Sequence, residues 1–369
     1  MPITYDTIVI GGGIAGSSAA YFLSQKGQKV LVMDKNGIAS GGSGAAGAFV
    51  SPKIGKGGPL QSLTNEAFEF ATNFYLEYFP AFYHQSGVVR IPKDEEDAAK
   101  FPLYEPSNEN RYTHFRGEKL RALGIKTPLE SFFFPDAGVC DAPDMCHALL
   151  KGIAYIQDEA EELVFEHGVW QAGEHRAKNA VLATGYENRL FDMRYMGTKG
   201  TWGTRGDFSS NLSLKVSMHQ SMSVSANMNG IIRLGATHEK NIKKPIVCED
   251  EQALGLKEKA SALVDTSDMD LVKTVCGMRA GSRDYFPLVG RVIDVPFMLE
   301  AYPDIIRGAT PKLRYLENLY ICSGFGGRGF VFGPLMGKWL ADYILDAKEI
   351  DKRIDPDRLF FKWCRKQYK

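Results

Sequence analysis

No apolar stretch in this chain reaches the roughly 18 residues that crossing a bilayer requires, so no membrane span is expected. Excess charge is missing too, because 44 Lys and Arg balance 44 Asp and Glu. A chain without net charge has no global field to draw in a polyanion, and any nucleic-acid contact must come from a local patch. The six cysteines (Cys140, Cys146, Cys248, Cys276, Cys322, Cys364) include no Cys-x-x-Cys pair and have no His at zinc spacing. They read as reduced, mostly packing thiols of a cytoplasmic protein, and no metal is expected. The apolar run from Ile8 to Leu23 lacks the basic leader of a signal peptide and is interrupted by four glycines, which excludes that reading. Low-complexity tracts are absent, and 369 residues exceed one small core, so two intertwined domains are expected.

The chain opens on a complete βαβ pattern. Thr7-Ile8-Val9-Ile10 reads as a buried parallel strand, and Gly11, Gly13 and Gly16 follow at GxGxxG spacing. Ser17 to Lys26 suits a helix capped by Gly27, Lys29 to Met33 makes a second strand, and Asp34 ends it. Gly11 permits the tight turn, Gly13 lets a pyrophosphate approach the backbone, and Gly16 lets helix and sheet pack closely. The helix N-terminus offers N–H groups and a positive dipole end to phosphates, and Ile14 and Ala15 just before it join the cofactor-binding candidates. Asp34, eighteen residues past Gly16, can accept a ribose hydroxyl and disfavours a 2′-phosphate; Lys35 beside it joins the candidate set. Glycines alone would be weak support, but strand, glycines, helix, strand and acid in register are strong.

This fingerprint does not separate FAD from NAD. Asn179 to Gly185 is an apolar strand ending in Ala183-Thr184-Gly185, of the kind that returns beside the first unit in FAD enzymes with two dinucleotide-binding segments. Near the C-terminus, the strand Leu319 to Ser323 runs into Gly324-Phe325-Gly326-Gly327-Arg328-Gly329-Phe330, with a helix expected from about Pro334 to Leu345. A helix N-terminus there could stabilise negative charge on a reduced flavin, for which an NAD dehydrogenase has no need. The bland alternative is a glycine-rich turn closing the sheet. Between these segments, Ala39 to Gly58 is rich in small residues, and Ser43, Gly44 and Ala45 suit backbone wrapping a bound cofactor.

The run Cys276-Gly277-Met278-Arg279-Ala280-Gly281-Ser282-Arg283-Asp284-Tyr285-Phe286-Pro287-Leu288-Val289-Gly290 resembles a segment of the D-amino-acid-oxidase-like flavoenzymes, which include glycine oxidase and sarcosine oxidase. In that family the Arg of a Gly-Leu-Arg-Pro-type motif often binds the substrate carboxylate, and Arg279 stands at the matching position. A guanidinium grips a carboxylate bidentately, which agrees with that role; a salt bridge is the plainer reading. Arg283 reads as one strand alternation further on the same face, with pairing to Asp284 as the alternative.

The resemblance narrows to the FAD-oxidoreductase halves of the bifunctional enzymes of tRNA 5-methylaminomethyl-2-thiouridine biosynthesis. It rests on the run above, on Ser323 to Phe330 followed by Phe332-Gly333-Pro334-Leu335, on Ser43-Gly44 through Pro52, and on the closing Ile354-Asp355-Pro356-Asp357-Arg358-Leu359. It implies oxidative removal of a carboxymethyl group from a wobble uridine, giving glyoxylate and an aminomethyl group. It also implies non-covalent FAD, dioxygen as electron acceptor and tRNA as partner. The methyltransferase half has no counterpart here, so a separate methyltransferase is expected. Ala45-Ala46-Gly47 replaces what is commonly a more polar stretch.

Arg279 would hold the glycine-like carboxylate while the neutral amine is oxidised to an imine that water hydrolyses. No His is convincingly placed as a base: His84, His147, His167, His175, His219 and His238 are scattered. Candidate phosphate contacts are Lys53 and Lys56, Lys199 and Arg205 flanking Trp202, and the tail Lys362, Arg365, Lys366 and Lys369; Trp202 or Tyr285 could stack a flipped base. Three rivals remain: an oxidase of a free small amino acid of the glycine or sarcosine type, a non-catalytic, flavin-containing RNA-binding protein, and an NAD dehydrogenase. The expected fold is α/β: a Rossmann-like, two-dinucleotide-binding FAD domain (1–86, 138–193 and 276–369) interleaved with an α+β substrate domain (87–137 and 194–275), D-amino-acid-oxidase-like. Within the latter, Gly87 to Pro92 and Gly230 to Gly235 read as strands.

Overall fold

The computed structural model describes residues 5–239, 242 and 244–367; Lys369, named above as a phosphate candidate, lies outside them. The chain forms two compact units, Met1–Gly41 with Cys146–Gly200 and Arg279–Lys369, and Gly42–Met145 with Thr201–Met278. Residues 42–86, 138–145 and 276–278, expected with the cofactor domain, therefore group with the second unit, and 194–200, expected with the substrate domain, group with the first. Phe49–Val50 and Tyr83–His84 both pair antiparallel to Gly138–Cys140, which keeps these segments together, and Arg233 of the second unit's sheet donates to the Cys140 carbonyl at 3.0 Å and to Asp141 at 2.6 Å, which fastens them there.

The first unit is built on an eight-stranded sheet. Its centre is β1 (Tyr5–Ile10), flanked in parallel by β2 (Val30–Met33) and by the return strand His175–Leu182. The last strand, Tyr315–Ser323, lies parallel to the return strand, with Leu288–Ile293 antiparallel outside it. All four residues of β2 and the last four of β1 are buried, as a parallel strand covered on both faces must be.

Helix α1 (Ile14–Gln25) packs along the late helix Gly329–Asp346. That helix starts five residues before the expected Pro334, which lies inside it and removes one ladder hydrogen bond. Gly329, Gly333 and Gly337 recur every four residues and face α1. A Cβ at Gly333 would lie 2.9 Å from Ile14 Cγ1, and one at Gly337 would lie 2.7 Å from the Ser18 carbonyl carbon. The glycines thus make a flat track for a second helix, which the reading of Gly329 as a loop residue did not anticipate.

The second unit has its own eight-stranded sheet, ordered 270–281, 199–209, 231–235, 223–224, 217–219, 88–90, 131–134 and 113–115. Strands 217–219 and 88–90 pair in parallel, while 199–209 with 231–235, 231–235 with 223–224, 223–224 with 217–219, 88–90 with 131–134 and 131–134 with 113–115 pair antiparallel. Val89, Phe208, Ile232 and Leu234 centre its core. One cysteine expectation is corrected here: Cys248 and Cys276 form a disulfide, while Cys140, Cys146, Cys322 and Cys364 are free and buried. Their separation of 28 residues carries no signal, because the fold alone brings a loop and a strand together with Cα atoms 5.6 Å apart.

Candidate functional site

The first glycine turn is closed against the return strand so tightly that side chains are excluded. Gly11 has φ of 113°, and a Cβ there would lie 2.3 Å from the Ala183 carbonyl oxygen; one at Gly16 would lie 1.9 Å from the Gly11 oxygen. Helix α1 begins at Ile14 behind the extended Gly13, and no side chain caps it. A helix end left without such a cap, reached through a turn bare of side chains, suits an anionic diphosphate. Ala15 is half-buried and Ile14 buried.

Asp34 closes the other side. Its Oδ2 accepts the Gly12 amide at 2.7 Å and its Oδ1 accepts the Asn36 amide at 2.9 Å. Lys35 turns instead to Glu187 at 2.7 Å and Glu159 at 3.7 Å. Thr184 donates its hydroxyl to the Glu187 carbonyl, and Ser323 Oγ donates to the Gly185 carbonyl at 3.2 Å, which ties the return strand to the start of the second glycine loop.

In that loop Gly324 (φ 79°) and Gly326 (φ 56°) occupy left-handed backbone positions, and Gly327 has open space where a side chain would be. A Cβ at Gly329 would meet Ile14 Cγ2 at 2.9 Å, so this glycine serves helix packing; Phe330 is buried. Arg328 is the residue preceding the helix, half-buried, and no carboxylate ion-pairs with it among the described residues. Burial pushes its guanidinium pKa down. A desolvated cation without an acid suits an anionic ligand group.

Arg279 is the third residue from the end of the strand Asp270–Gly281, half-buried, its pKa likewise pushed down by burial. Two residues on, Gly281 makes a β-bridge to Phe325 and seats the strand end on the second loop. Arg283 departs from expectation. It lies beyond the strand end, exposed, and Asp284 pairs with Arg358 instead, at 2.8 Å and 2.9 Å. Tyr285 is 77% exposed at φ 68°.

The remaining candidates lie in the second unit. Arg205 is buried, ion-paired with Asp207 at 2.8 Å, and donates to the Gly44 and Ala46 carbonyls of the small-residue loop. It is a structural brace and no phosphate contact. Trp202 is 4% exposed, which leaves no ring face for a base and overturns that expectation. Ser43 and Ala45 belong to the same loop, and Lys53, half-buried, has its amide bonded to Asn65 Oδ1 at 2.8 Å. Lys56 is exposed, as are Lys362, Arg365 and Lys366 on the final helix. His84 bonds Asp141 at 2.8 Å within the second unit, and His219 bonds Ser223 Oγ at 2.7 Å.

The FAD dependent oxidoreductase family matches residues 6–343. The chain belongs to that family. It is an FAD-dependent oxidoreductase, and the two glycine-rich turns, the helix end without a side-chain cap and Arg328 fit that cofactor. It is 24% identical over 372 residues to the tRNA 5-methylaminomethyl-2-thiouridine biosynthesis bifunctional protein MnmC of Legionella pneumophila (strain Corby), covering 93% of this chain and 55% of that protein. The same-named protein of Maricaulis maris (strain MCS10) is 27% identical, with 91% of this chain and 51% of the relative covered. The chain thus spans about half the length of the relatives it matches. Glycine oxidase from Bacillus cereus ATCC 14579 superposes with a TM-score of 0.78 at 21% identity, covering 94% of this flavoenzyme and 96% of the other. L-proline dehydrogenase from P. horikoshii follows at 0.75 and 17%, covering 97% and 98%. These likenesses establish the D-amino-acid-oxidase-like fold. Among the described residues no cluster of His, Cys, Asp and Glu could hold a metal, and no helix is long and apolar enough to cross a membrane.

Proposed function

We propose that this flavoenzyme removes the carboxymethyl group of 5-carboxymethylaminomethyl(-2-thio)uridine at the tRNA wobble position, leaving 5-aminomethyl(-2-thio)uridine and glyoxylate. The observation that carries the reading is Arg279, a half-buried guanidinium two residues before the Gly281–Phe325 bridge that joins its strand to the second glycine loop. The substituent is an N-substituted glycine, and its carboxylate matches the guanidinium fork. The names of the relatives supply the tRNA.

Bound FAD supplies a two-electron acceptor for a C–N bond. Arg279 binds and orients the carboxylate, and its partial desolvation strengthens that grip. The secondary amine loses two electrons and two protons and becomes an imine. Water adds across it, the C–N bond breaks, and glyoxylate leaves the primary amine on the base. Amine bound in its neutral form needs no dedicated protein base. Dioxygen as final acceptor, and methylation by a separate enzyme, belong to the same proposal.

Hypomodified tRNA carrying the carboxymethylaminomethyl group is mixed anaerobically with the FAD-loaded protein, and flavin bleaching, nucleosides and glyoxylate are followed. Bleaching with stoichiometric aminomethyluridine and glyoxylate is the expected result. Rapid turnover of free glycine or sarcosine with no action on tRNA would overturn the proposal in favour of a small-amino-acid oxidase. Failure of every such substrate to bleach the flavin would favour a non-catalytic RNA-binding role.

A further inference from the structure

We propose that the turn Ser282–Pro287 is where this chain grips RNA, with Tyr285 as a platform for a base and Arg283 with Lys199 as phosphate contacts. The inference rests on the tRNA reading above and adds the residues that would separate an RNA substrate from a free amino acid.

Both feet of the turn stand on the second glycine loop. Gly281 bridges Phe325 before it, and Leu288 pairs with Ser323 after it. The reacting group hangs on a base, so the nucleotides around that base must lie within a few ångströms of the cofactor loop, where this turn emerges.

The turn is held rigid from within. Arg358 forks onto Asp284 at 2.8 Å and 2.9 Å, and its Nη2 also reaches the Phe286 and Pro287 carbonyls at 3.3 Å and 3.2 Å. Its Nη1 donates to the Asp355 carbonyl at 2.8 Å, and Ser282 Oγ donates to the Phe286 carbonyl at 2.6 Å. These bonds occupy the turn's one acid and fix Tyr285 at φ 68°, a conformation uncommon for an aromatic residue. The ring is thereby pushed into solvent, 77% exposed, and stacks on no other ring among the described residues.

Two cations flank it. Arg283 is exposed, and no acid pairs with it among the described residues. Its Cβ lies 3.0 Å from the position a Cβ would take at Gly197, which brings the segment containing exposed Lys199 alongside; Lys199 has no acid partner there either. A single exposed tyrosine is ordinary. A ring held out by a strained, braced turn, between two cations without acid partners and next to a neutralised acid, has the chemistry of a single-stranded RNA contact: a π-face for a base and charge for phosphates.

The test uses this 369-residue chain, loaded with FAD and carrying Tyr285→Ala, Tyr285→Trp or the pair Arg283→Ala with Lys199→Ala. KM and kcat are measured on hypomodified tRNA and on the free nucleoside bearing the same group, and binding of a labelled anticodon stem-loop is followed by fluorescence anisotropy. Tyr285→Ala should raise KM for tRNA by ~10-fold relative to KM for the nucleoside, the loss falling on KM rather than kcat, and Tyr285→Trp should restore it. The double variant should lower the salt dependence of stem-loop binding by about two phosphate contacts. Equal shifts on tRNA and nucleoside, or undiminished stem-loop affinity in Tyr285→Ala, would overturn the proposal. If wild-type protein leaves tRNA unmodified, the proposed function falls and anisotropy decides this inference alone. Stem-loop binding lost in Tyr285→Ala then upholds it, and absence of binding to wild type sinks it.

Discussion

The Asp34 carboxylate accepts the Gly12 amide at 2.7 Å, joining the end of β2 to the first glycine turn across 22 residues. One acid therefore both shapes the turn and stands where a ribose hydroxyl would be received. Replacing Asp34 with Ala should weaken FAD binding by about 10-fold or more, the loss of a charge-assisted hydrogen bond at the site. Asp34→Asn, which keeps an acceptor oxygen, should lose less. Flavin retained through gel filtration and titration of the apoprotein measure both. Wild-type affinity in Asp34→Ala would remove this residue from the cofactor site.

The glycine track of the late helix should tolerate no side chain at its far end. A Cβ at Gly337 would lie 2.7 Å from the Ser18 carbonyl carbon, which is backbone and cannot step aside. Gly337→Ala should cost about 1–3 kcal/mol through overpacking. Gly333→Ala meets the Ile14 side chain first, at 2.9 Å, and should cost less because a side chain can adjust. Thermal unfolding of the FAD-loaded variants gives the order, and a reversed order contradicts this packing account.

The βαβ unit was legible because its signals are local: β1, the glycines, α1 and β2 run consecutively, and each constrains the next. The second loop was half legible. Gly324 and Gly326 sit at left-handed positions that glycine announces, but Gly329 and Gly333 read as loop and flanking helix when their real task is to face α1. The signal was available in the four-residue spacing of Gly329, Gly333 and Gly337. Trp202 and Arg205 misled because a cation beside an aromatic ring looks alike on a surface and in a core, and only the folded chain shows that both are buried. Arg358 belonged to a quoted motif, yet its partner Asp284 lies 74 residues away, and no sequence pattern announces such a pair. The Cys248–Cys276 bridge escaped for the same reason.

Asp357, at the first turn of the final helix, should make stability fall as pH rises through the mildly acidic range. Burial pushes its carboxyl up to about 6, with Asp355 beside it adding to the rise and the Tyr315 hydroxyl opposing it. The folded state therefore holds the proton more tightly than the unfolded chain. That contribution is fully present below the ordinary carboxylate range, near pH ~4, and is lost as pH rises through the folded value. Asp357→Asn should flatten the profile between these limits and leave the protein about 1 kcal/mol more stable at neutral pH. Unfolding midpoints from pH 4 to 7 check this, and a slope unchanged by the substitution would refute it.

Asp342 should act in the opposite sense. It is buried on the late helix and meets Lys338 at 2.8 Å, Lys26 at 2.9 Å and Lys348 at 3.1 Å. Burial alone would raise its pKa, but the three ammonium groups outweigh it and hold the carboxyl well below the usual range. A depressed pKa contributes stability that is present above the unfolded value and disappears as pH falls through the folded one. Asp342→Asn leaves three lysines around a neutral amide and should cost about 2 kcal/mol at neutral pH, with the deficit shrinking in acid. Asp346 is the control, since it also pairs with Lys26 but its side chain is 40% exposed. Asp346→Asn should cost under about 1 kcal/mol, as exposed ion pairs do. Denaturant unfolding of both variants at neutral and acid pH separates them. Equal losses would mean that the Lys26 contact alone matters, and a pH-independent loss in Asp342→Asn would assign the effect to packing rather than charge.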